Sequence, residues 1–247
     1  MRAGERTIKA VPFAVLLCLV FSFATQVFVA RQRPGPEINA AALRAPPQIG
    51  VLRVVALGEP GLLARLMMLW LQAFDYQPGI SLSFQDLDYA HLEQWLERAV
   101  ALDLEFSYPL LAAARLYGEV SDPQRQRRML AFVDRHFEHD PVRHSQWMAH
   151  AVFVAKHRIK DSALALELAQ KLARVGGHAD IPSWVSQMHI FVLEDVGELE
   201  SAKVLLGGLL ESGEITDPHE QWFLSERLAE IEARVAAQVA LREKGGD

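Results

Sequence analysis

The sequence predicts an all-α fold: an α-solenoid of about four helical hairpins and a C-terminal capping helix, preceded by one transmembrane helix. Three observations support this prediction. An apolar run occupies residues 10–30, amphipathic segments follow from residue 59 onward, and their start signals recur at a period in the high thirties. Alternation typical of strands is essentially absent, apart from the short ambiguous run 51–57.

The composition is that of a globular protein, since 51% of the 247 residues are apolar and 23% are charged. The formal net charge is −6. Residues 1–30 hold three of the 25 basic residues and one of the 31 acidic ones, so the rest of the chain carries −8. An acidic domain of this kind has no electrostatic footprint for nucleic acid. Cys18 is the one cysteine, which excludes an intrachain disulfide.

Residues 10–30 are interrupted only by Ser22, Thr25 and Gln26. At about 1.5 Å per residue, a helix of this length matches a bilayer core of about 30 Å. The flank before the run is slightly more basic than the flank after it. We therefore expect an uncleaved signal-anchor, with its N-terminus in the cytoplasm and the helical domain exported. In a Gram-negative bacterium this location is the inner membrane and the periplasm.

Other interpretations of this segment stay open. Ser22-Phe23-Ala24 has the small-x-small pattern of a cleavage site, and cleavage there would remove residues 1–24. A lipid-modified Cys18 is disfavoured because Leu17 precedes it. Inverted topology of the anchor is the remaining alternative.

Proline and glycine in residues 31–58 predict a semi-rigid spacer between the anchor and the helical domain. Helical repeats are expected over 59–216, and a capping helix with a charged tail over 217–247. Apolar periodicity and helix breakers predict helices near 60–76, 86–103, 108–119, 123–138, 142–158, 161–174, 183–195, 199–212 and 218–243.

Acidic residues mark several helix starts at intervals of 36, 39 and 37 residues, namely Asp86, Asp122, Asp161 and Glu198. A repeat of this length with two helices indicates a stack of hairpins, because one hairpin is too small to bury its own apolar face. Residues 217–220, Asp-Pro-His-Glu, also have the spacing of a capping box.

Over residues 59–216 the chain resembles the tetratricopeptide-repeat family in a degenerate form. The residues that match the family's pattern are Leu96, Ala99, Asp103, Ala114, Tyr117, Trp147, Ala151 and Ala163. The chain departs from the pattern at Leu104, which replaces the closing proline, and at Glu167, which replaces an aromatic residue. The resemblance implies the hairpin architecture and says little about the ligand.

Residues 62–71 are apolar around most of a helix circumference, so one core face does not account for all of them. One explanation is burial within the first hairpin. The other is a surface that binds a protein partner through Met67, Trp70 and Leu71, because methionine adapts to varied partners. If Met67 and Leu71 are buried, the predicted site moves to a groove formed by residues 108–119, 142–158 and 183–195.

The segment 136–157 is rich in histidine, with His136, His139, His144, His150 and His157. Imidazoles on one helix face can bind zinc, but no HExxH motif is present, and we interpret them as solvated or hydrogen-bonded side chains. A cluster of arginines is interpreted as a solvated helix face, namely Arg125, Arg127, Arg128 and Arg135. No nucleophile–base or phosphate-loop motif occurs, so the sequence predicts no catalytic residue, metal ligand or cofactor.

The expected function is therefore that of a membrane-tethered scaffold or adaptor that binds envelope or membrane proteins. Stacked hairpins leave an extended groove, and a tether raises the local concentration near membrane partners. Two alternatives stay open. An envelope chaperone would hold exported, unfolded clients on the apolar surface 62–74, and would bind many unfolded chains. A histidine-dependent metal-binding or hydrolytic protein would show saturable zinc binding.

Overall fold

The structure is a computed structural model that describes residues 12–32, 42–74, 76–77, 80–178 and 180–244. The described residues are predominantly helical, which confirms the predicted all-α class. They divide into two units. The first contains helix α1 (Phe13–Gln32) together with residues 77 and 80–81, and the second contains the other described residues.

Helix α1 has 20 residues and is apolar over Phe13–Val29. Its hydroxyl-bearing Thr25 donates a hydrogen bond to the carbonyl of Phe21 at 2.8 Å, which satisfies the polar group within the helix. Within the described part of the chain, no single helix has both the length and the hydropathy of a membrane span. The predicted transmembrane helix over 10–30 is thus not confirmed, and its residues 10 and 11 lie outside the described ranges.

Among the described residues, seven helices of the second unit have both ends within three residues of the predicted ones. The helices that begin at Tyr108 and Pro141 end eight and four residues earlier than predicted, and the helix that begins at Ile49 was not predicted. The ten helices of this unit are α2 (Ile49–Val55), α3 (Pro60–Ala73), α4 (Tyr89–Leu102), α5 (Tyr108–Leu111), α6 (Pro123–Phe137), α7 (Pro141–Val154), α8 (Ser162–Ala173), α9 (Trp184–Asp195), α10 (Leu199–Glu211) and α11 (Pro218–Lys244). The ambiguous run 51–57 lies largely in α2 and is helical.

Irregular segments continue two of these helices. After α5 the chain forms a π-helical turn, Ala112–Leu116, and a 3-10 turn, Tyr117–Glu119. After α7 it forms a π-helical segment, Ala155–Ile159. Among the described residues, strands are limited to β1 (Tyr76–Gln77) and β2 (Ile80–Ser81), which form a two-stranded sheet.

Aspartate side chains cap most of the predicted helix starts. The carboxylate of Asp122 accepts hydrogen bonds from the amides of residues 124 and 125, and Asp161 accepts from the amide of Leu164 at 3.0 Å. One predicted cap is wrong. Asp86 lies in a 3-10 turn, and Asp88 caps α4 in its place. Glu198 occupies the cap position of α10 without a side-chain bond, as expected of the longer glutamate side chain.

The predicted capping box at residues 217–220 is half formed. Asp217 accepts from the amides of His219 and Glu220, at 2.7 and 3.3 Å. The carboxylate of Glu220 does not bond back to this turn. It accepts hydrogen bonds from Ser183 and Gln187 instead, which joins the start of α11 to the start of α9.

Helices consecutive in the chain pack most extensively on each other, notably α3 on α4, α7 on α8, α8 on α9 and α10 on α11. Small side chains lie where they meet, because alanine allows close approach of two helix backbones. Among the residues of the repeat-like pattern, several are fully buried, namely Leu96, Ala99, Ala114, Tyr117 and Ala151. Trp147 is partly buried and Ala163 is exposed.

The described part of the predicted spacer, residues 42–58, packs on α4. Leu43 is buried, and its carbonyl accepts a hydrogen bond from His91 at 2.8 Å. Trp95 donates to the carbonyl of Arg44, also at 2.8 Å. Residues 42–58 are therefore part of the second unit, and α2 is formed within them.

The arginines of α6 form ion pairs within the chain. Arg127 pairs with Asp161 of the α8 cap, while Arg128 pairs with Glu93 of α4 at 2.8 Å. These arginines connect α6 to the helices on either side of it. The expectation of a solvated helix face is correct for the exposure of Arg127, Arg128 and Arg135, but each of these guanidinium groups pairs with an acidic residue outside α6. Arg125 is partly buried and pairs with Asp122 at the start of its own helix.

Candidate protein-binding site

The structure separates the three residues predicted to contact a partner. Met67 and Leu71 are 7% and 1% exposed, whereas Trp70 is 45% exposed. Met67 packs with Leu52 of α2 in a small apolar cluster, and Leu71 belongs to the main core. Direct contact of a partner with Met67 or Leu71 would require opening of the first hairpin. We therefore consider the second predicted surface, the groove of residues 108–119, 142–158 and 183–195.

An aromatic row, defined by His150, Phe153 and His157, lies along α7 and the π-helical segment that follows it. The ring of Phe153 is stacked against His150 at a centroid distance of 5.9 Å and contacts His157 at 4.8 Å. Phe153 is nevertheless 45% exposed. Half-exposed aromatic side chains held in place by neighbouring rings can bind a partner with little loss of rotamer freedom.

Glu119, at the end of the turn after α5, fixes one end of the aromatic row. Its carboxylate accepts a hydrogen bond from Nε2 of His150 at 3.1 Å and another from Arg158 at 2.9 Å. The bond orients the imidazole so that its face meets the ring of Phe153. Glu119 thereby connects residues on both sides of Phe153 to a single acceptor.

A cavity of about 390 Å³ lies between the π-helical segment Ala155–Ile159, α9 and α11. Its lining residues are Lys156, Phe191, Glu194, Asp195, Phe223 and Arg227. Lys156 forms an ion pair with Asp195, and the rings of Phe191 and Phe223 are 6.3 Å apart. Lys156 lies between Phe153 and His157 in the chain, so the cavity and the aromatic row share one helical segment. The cavity and the aromatic row together contain apolar rings, and the charged groups beside these rings already form ion pairs within the chain.

Glu194 is the most deeply buried charge at this site. It is 3% exposed, and its carboxylate accepts hydrogen bonds from Arg227 at 2.8 and 2.9 Å and a further one from Arg234. Charge-assisted bonds of this kind are strong and directional. They fix α11 against α9 and hold Phe223 near Phe191.

Burial lowers the pKa of the two histidines beside Phe153. For His150, loss of hydration lowers the pKa although Glu119 opposes the shift. For His157, loss of hydration acts together with the positive charge of Lys156. Both imidazoles are therefore predominantly neutral at pH 7, and the aromatic row is uncharged.

The other histidines of the predicted cluster have structural contacts. His136 bonds to the carboxylate of Glu97 at 2.8 Å, and Nδ1 of His144 donates to the carbonyl of His136 at 3.1 Å. In the described ranges, no three His, Cys, Asp or Glu side chains are arranged to hold a metal ion.

Sequence reasoning placed most of this site within the predicted groove but missed the contribution of α11. Phe223 and Arg227 lie in the segment 217–247, for which the sequence predicts only a capping helix and a charged tail. Arg227 follows Phe223 by four residues, and Arg234 follows Arg227 by seven. These spacings place the three side chains on one face of the helix. They were the available signal.

Comparison with known protein families, with curated proteins and with solved structures found no match to this chain. The function of the site must therefore be inferred from its own residues.

Proposed function

We propose that this protein is a membrane-tethered adaptor that binds a helix or extended segment of another protein along the aromatic row and the cavity lined by Lys156 and Phe191. The observation that carries the proposal is Phe153, an exposed aromatic ring between two imidazoles. Binding energy at protein interfaces concentrates in a few aromatic or arginine anchors surrounded by groups that exclude water. Phe153 and its neighbours have this composition.

The charges at the site favour a weakly charged partner segment. Lys156 is paired with Asp195, Arg158 with Glu119, and Arg227 with Glu194. A charged partner would have to break one of these pairs, whereas an aliphatic or aromatic side chain would enter the cavity without doing so. We infer that the bound segment carries one or two apolar anchors at helical spacing.

The tether and the repeat architecture are parts of the same proposal. The apolar run 10–30 supports an anchor, with the helical domain exported. The recurring start signals, the packing of consecutive helices and the buried small residue Ala151 support a tetratricopeptide-like stack of hairpins. In such a stack, α5, α7 and α9 are the first helices of successive hairpins, and these line the groove.

Site-directed photocrosslinking in intact cells tests the adaptor function. A benzoyl-phenylalanine at position 153 replaces one exposed aromatic side chain with another. The matched control is the same probe at Val204, an exposed apolar residue of α10 outside the site. We expect one predominant protein adduct at position 153 and none at position 204. Equal adducts at both positions would contradict the proposed site, and a broad set of unfolded clients would favour the chaperone alternative.

Protease treatment tests the tether. With only the outer layer of the cell opened, digestion of residues beyond about 40 is expected for an anchored, exported domain. A protected domain, or a mature chain that starts at Thr25, would contradict the signal-anchor.

A further inference from the structure

Helix α3 has two apolar stripes, and only one of them is buried. The buried stripe consists of Ala64, Met67, Met68 and Leu71. The opposite stripe is exposed at the spacing of a helix face and consists of Leu62, Leu66, Leu69 and Trp70. Helix α2 also exposes apolar side chains, namely Val51, Val54 and Val55. We call residues 49–73 the elbow.

The turn within the elbow presents a leucine to the outside. Leu57 is 89% exposed and has a φ of +50°, followed by Gly58 with a φ of +93°. A left-handed backbone is unfavourable for leucine, and residues held in this way concentrate at functional positions. The elbow thus combines an exposed apolar stripe with an exposed apolar tip.

Few charges interrupt this surface. Residues 49–73 contain Arg53, Glu59 and Arg65, and Arg65 is already paired with Asp103 at 3.1 Å. The exposed side chains are mainly valine and leucine with one tryptophan, whereas protein interfaces favour tyrosine, arginine and a polar rim. Leucine side chains together with a tryptophan are typical of the apolar face of helices that lie in a membrane interface.

The elbow also lies close in the chain to the apolar helix α1. Sixteen residues of the chain separate Gln32, the last residue of α1, from Ile49, the first residue of the elbow. Taken together, α2 and α3 have the length and hydropathy of a membrane span, but the chain turns by 109° between them. A bent pair of this kind suits insertion into one leaflet.

From these observations we propose that the elbow binds the surface of a phospholipid bilayer, with Leu57, Leu66 and Leu69 inserted among the acyl chains. A cavity of about 320 Å³ beside Leu69 extends this apolar surface. Met68, Leu69 and Phe106 line it, with Arg65 stacked on the ring of Phe106 at 4.9 Å. An acyl chain end fills this cavity in the bound state, and the guanidinium of Arg65 lies toward the headgroups. This lipid contact is additional to the α1 tether.

The experiment uses the full chain in vesicles of phosphatidylcholine and phosphatidylglycerol with brominated acyl chains. In a Cys18→Ser background, Leu66→Cys carries an environment-sensitive fluorophore, and Val204→Cys on α10 is the matched control. Both positions are exposed and apolar, so neither label disturbs the core. We expect a blue-shifted emission and several-fold stronger bromine quenching at position 66 than at position 204. Equal quenching at the two positions would overturn the proposal.

Two further measurements decide the other outcomes. If iodide in the water cannot reach the label at position 66 and bromine does not quench it, a protein or a second copy covers the elbow, and the lipid proposal fails. Labelling of native Cys18 in the wild-type chain tests α1 separately. Quenching at position 66 without quenching at Cys18 supports the elbow and contradicts the anchor, and the reverse result contradicts the elbow alone.

Discussion

The carboxylate of Glu194 and the guanidinium of Arg227 are joined by two hydrogen bonds, at 2.8 and 2.9 Å, across α9 and α11. Arg234, two turns further along α11, reaches the same carboxylate. A carboxylate removed from water in this way is tolerated because the guanidinium groups replace its hydration. This contact explains why the last helix is fixed against the candidate site.

Glu194→Ala should destabilise the protein by about 3 kcal/mol, near the lower end for a broken buried pair because both arginines are partly exposed. Denaturant unfolding of the full chain in detergent measures the change. Glu230→Ala is the control, since Glu230 pairs with the same Arg227 but is exposed, and its loss should cost under about 1 kcal/mol. Equal effects of the two substitutions would show that burial of Glu194 contributes nothing.

Helix boundaries were predictable from the sequence because the signals are local. Asp122 with Pro123, and Asp161, act on amides two or three residues away, so no tertiary information is needed. The prediction that Asp86 caps a helix is wrong because a local signal does not choose between two nearby aspartates. Asp86 and Asp88 are equally suitable by type, and the 3-10 turn capped by Ser83 decides between them.

The exposed side of α3 was not predictable in this way. Leu66 and Met67 are adjacent and both apolar, so hydropathy gives no orientation when the whole circumference is apolar. Packing against α4 and α2 buries Met67 and leaves Leu66 exposed. Burial of Glu194 likewise depends on two arginines some 33 and 40 residues away.

Leu71→Glu should lower the melting temperature sharply. The introduced carboxylate would be buried without a partner, which should lower the free energy of unfolding by about 2–7 kcal/mol. Leu69→Glu, two residues earlier on the exposed stripe, should change stability by less than about 0.5 kcal/mol. Thermal unfolding followed by circular dichroism compares the two. A small loss at Leu71 would mean that this side of α3 is open to solvent.

Ala151→Leu should overpack the contact between α7 and its neighbours, because Ala151 has no exposed surface. We expect a loss of about 1–3 kcal/mol in the free energy of unfolding. Ala163→Leu on the exposed face of α8 is the matched control and should be nearly neutral. An unchanged melting temperature for Ala151→Leu would contradict the assignment of Ala151 to a small position of the repeat.

Stability should fall as the pH drops below about 6.5, the pKa of an unfolded histidine. Burial lowers the pKa of His144 in the folded state, so the unfolded state binds more protons in this range. The contribution of neutral His144 to the free energy of unfolding is therefore fully present above the pKa of His144 in the unfolded state. It is lost as the pH falls towards the pKa of His144 in the folded state. Denaturant unfolding between pH 5 and 8 should give a smaller slope for His144→Gln than for the wild type. An identical slope would exclude His144 as the titrating group.

Phe153→Asp should strongly weaken partner binding without unfolding the protein. Phe153 is exposed, so the substitution removes no core contact, while it places a charge between His150 and His157. Loss of an interface anchor costs about 2 kcal/mol or more, which corresponds to at least a roughly thirtyfold weaker affinity. The yield of the crosslinked partner, obtained with a photoreactive probe at exposed Trp184 of α9, measures the loss. Val204→Asp is the control, because it adds the same charge to an exposed apolar position outside the site.

A Phe153→Asp variant that melts like the wild type and keeps its crosslink would exclude the aromatic row as the binding surface. Binding would then have to occur elsewhere on the second unit.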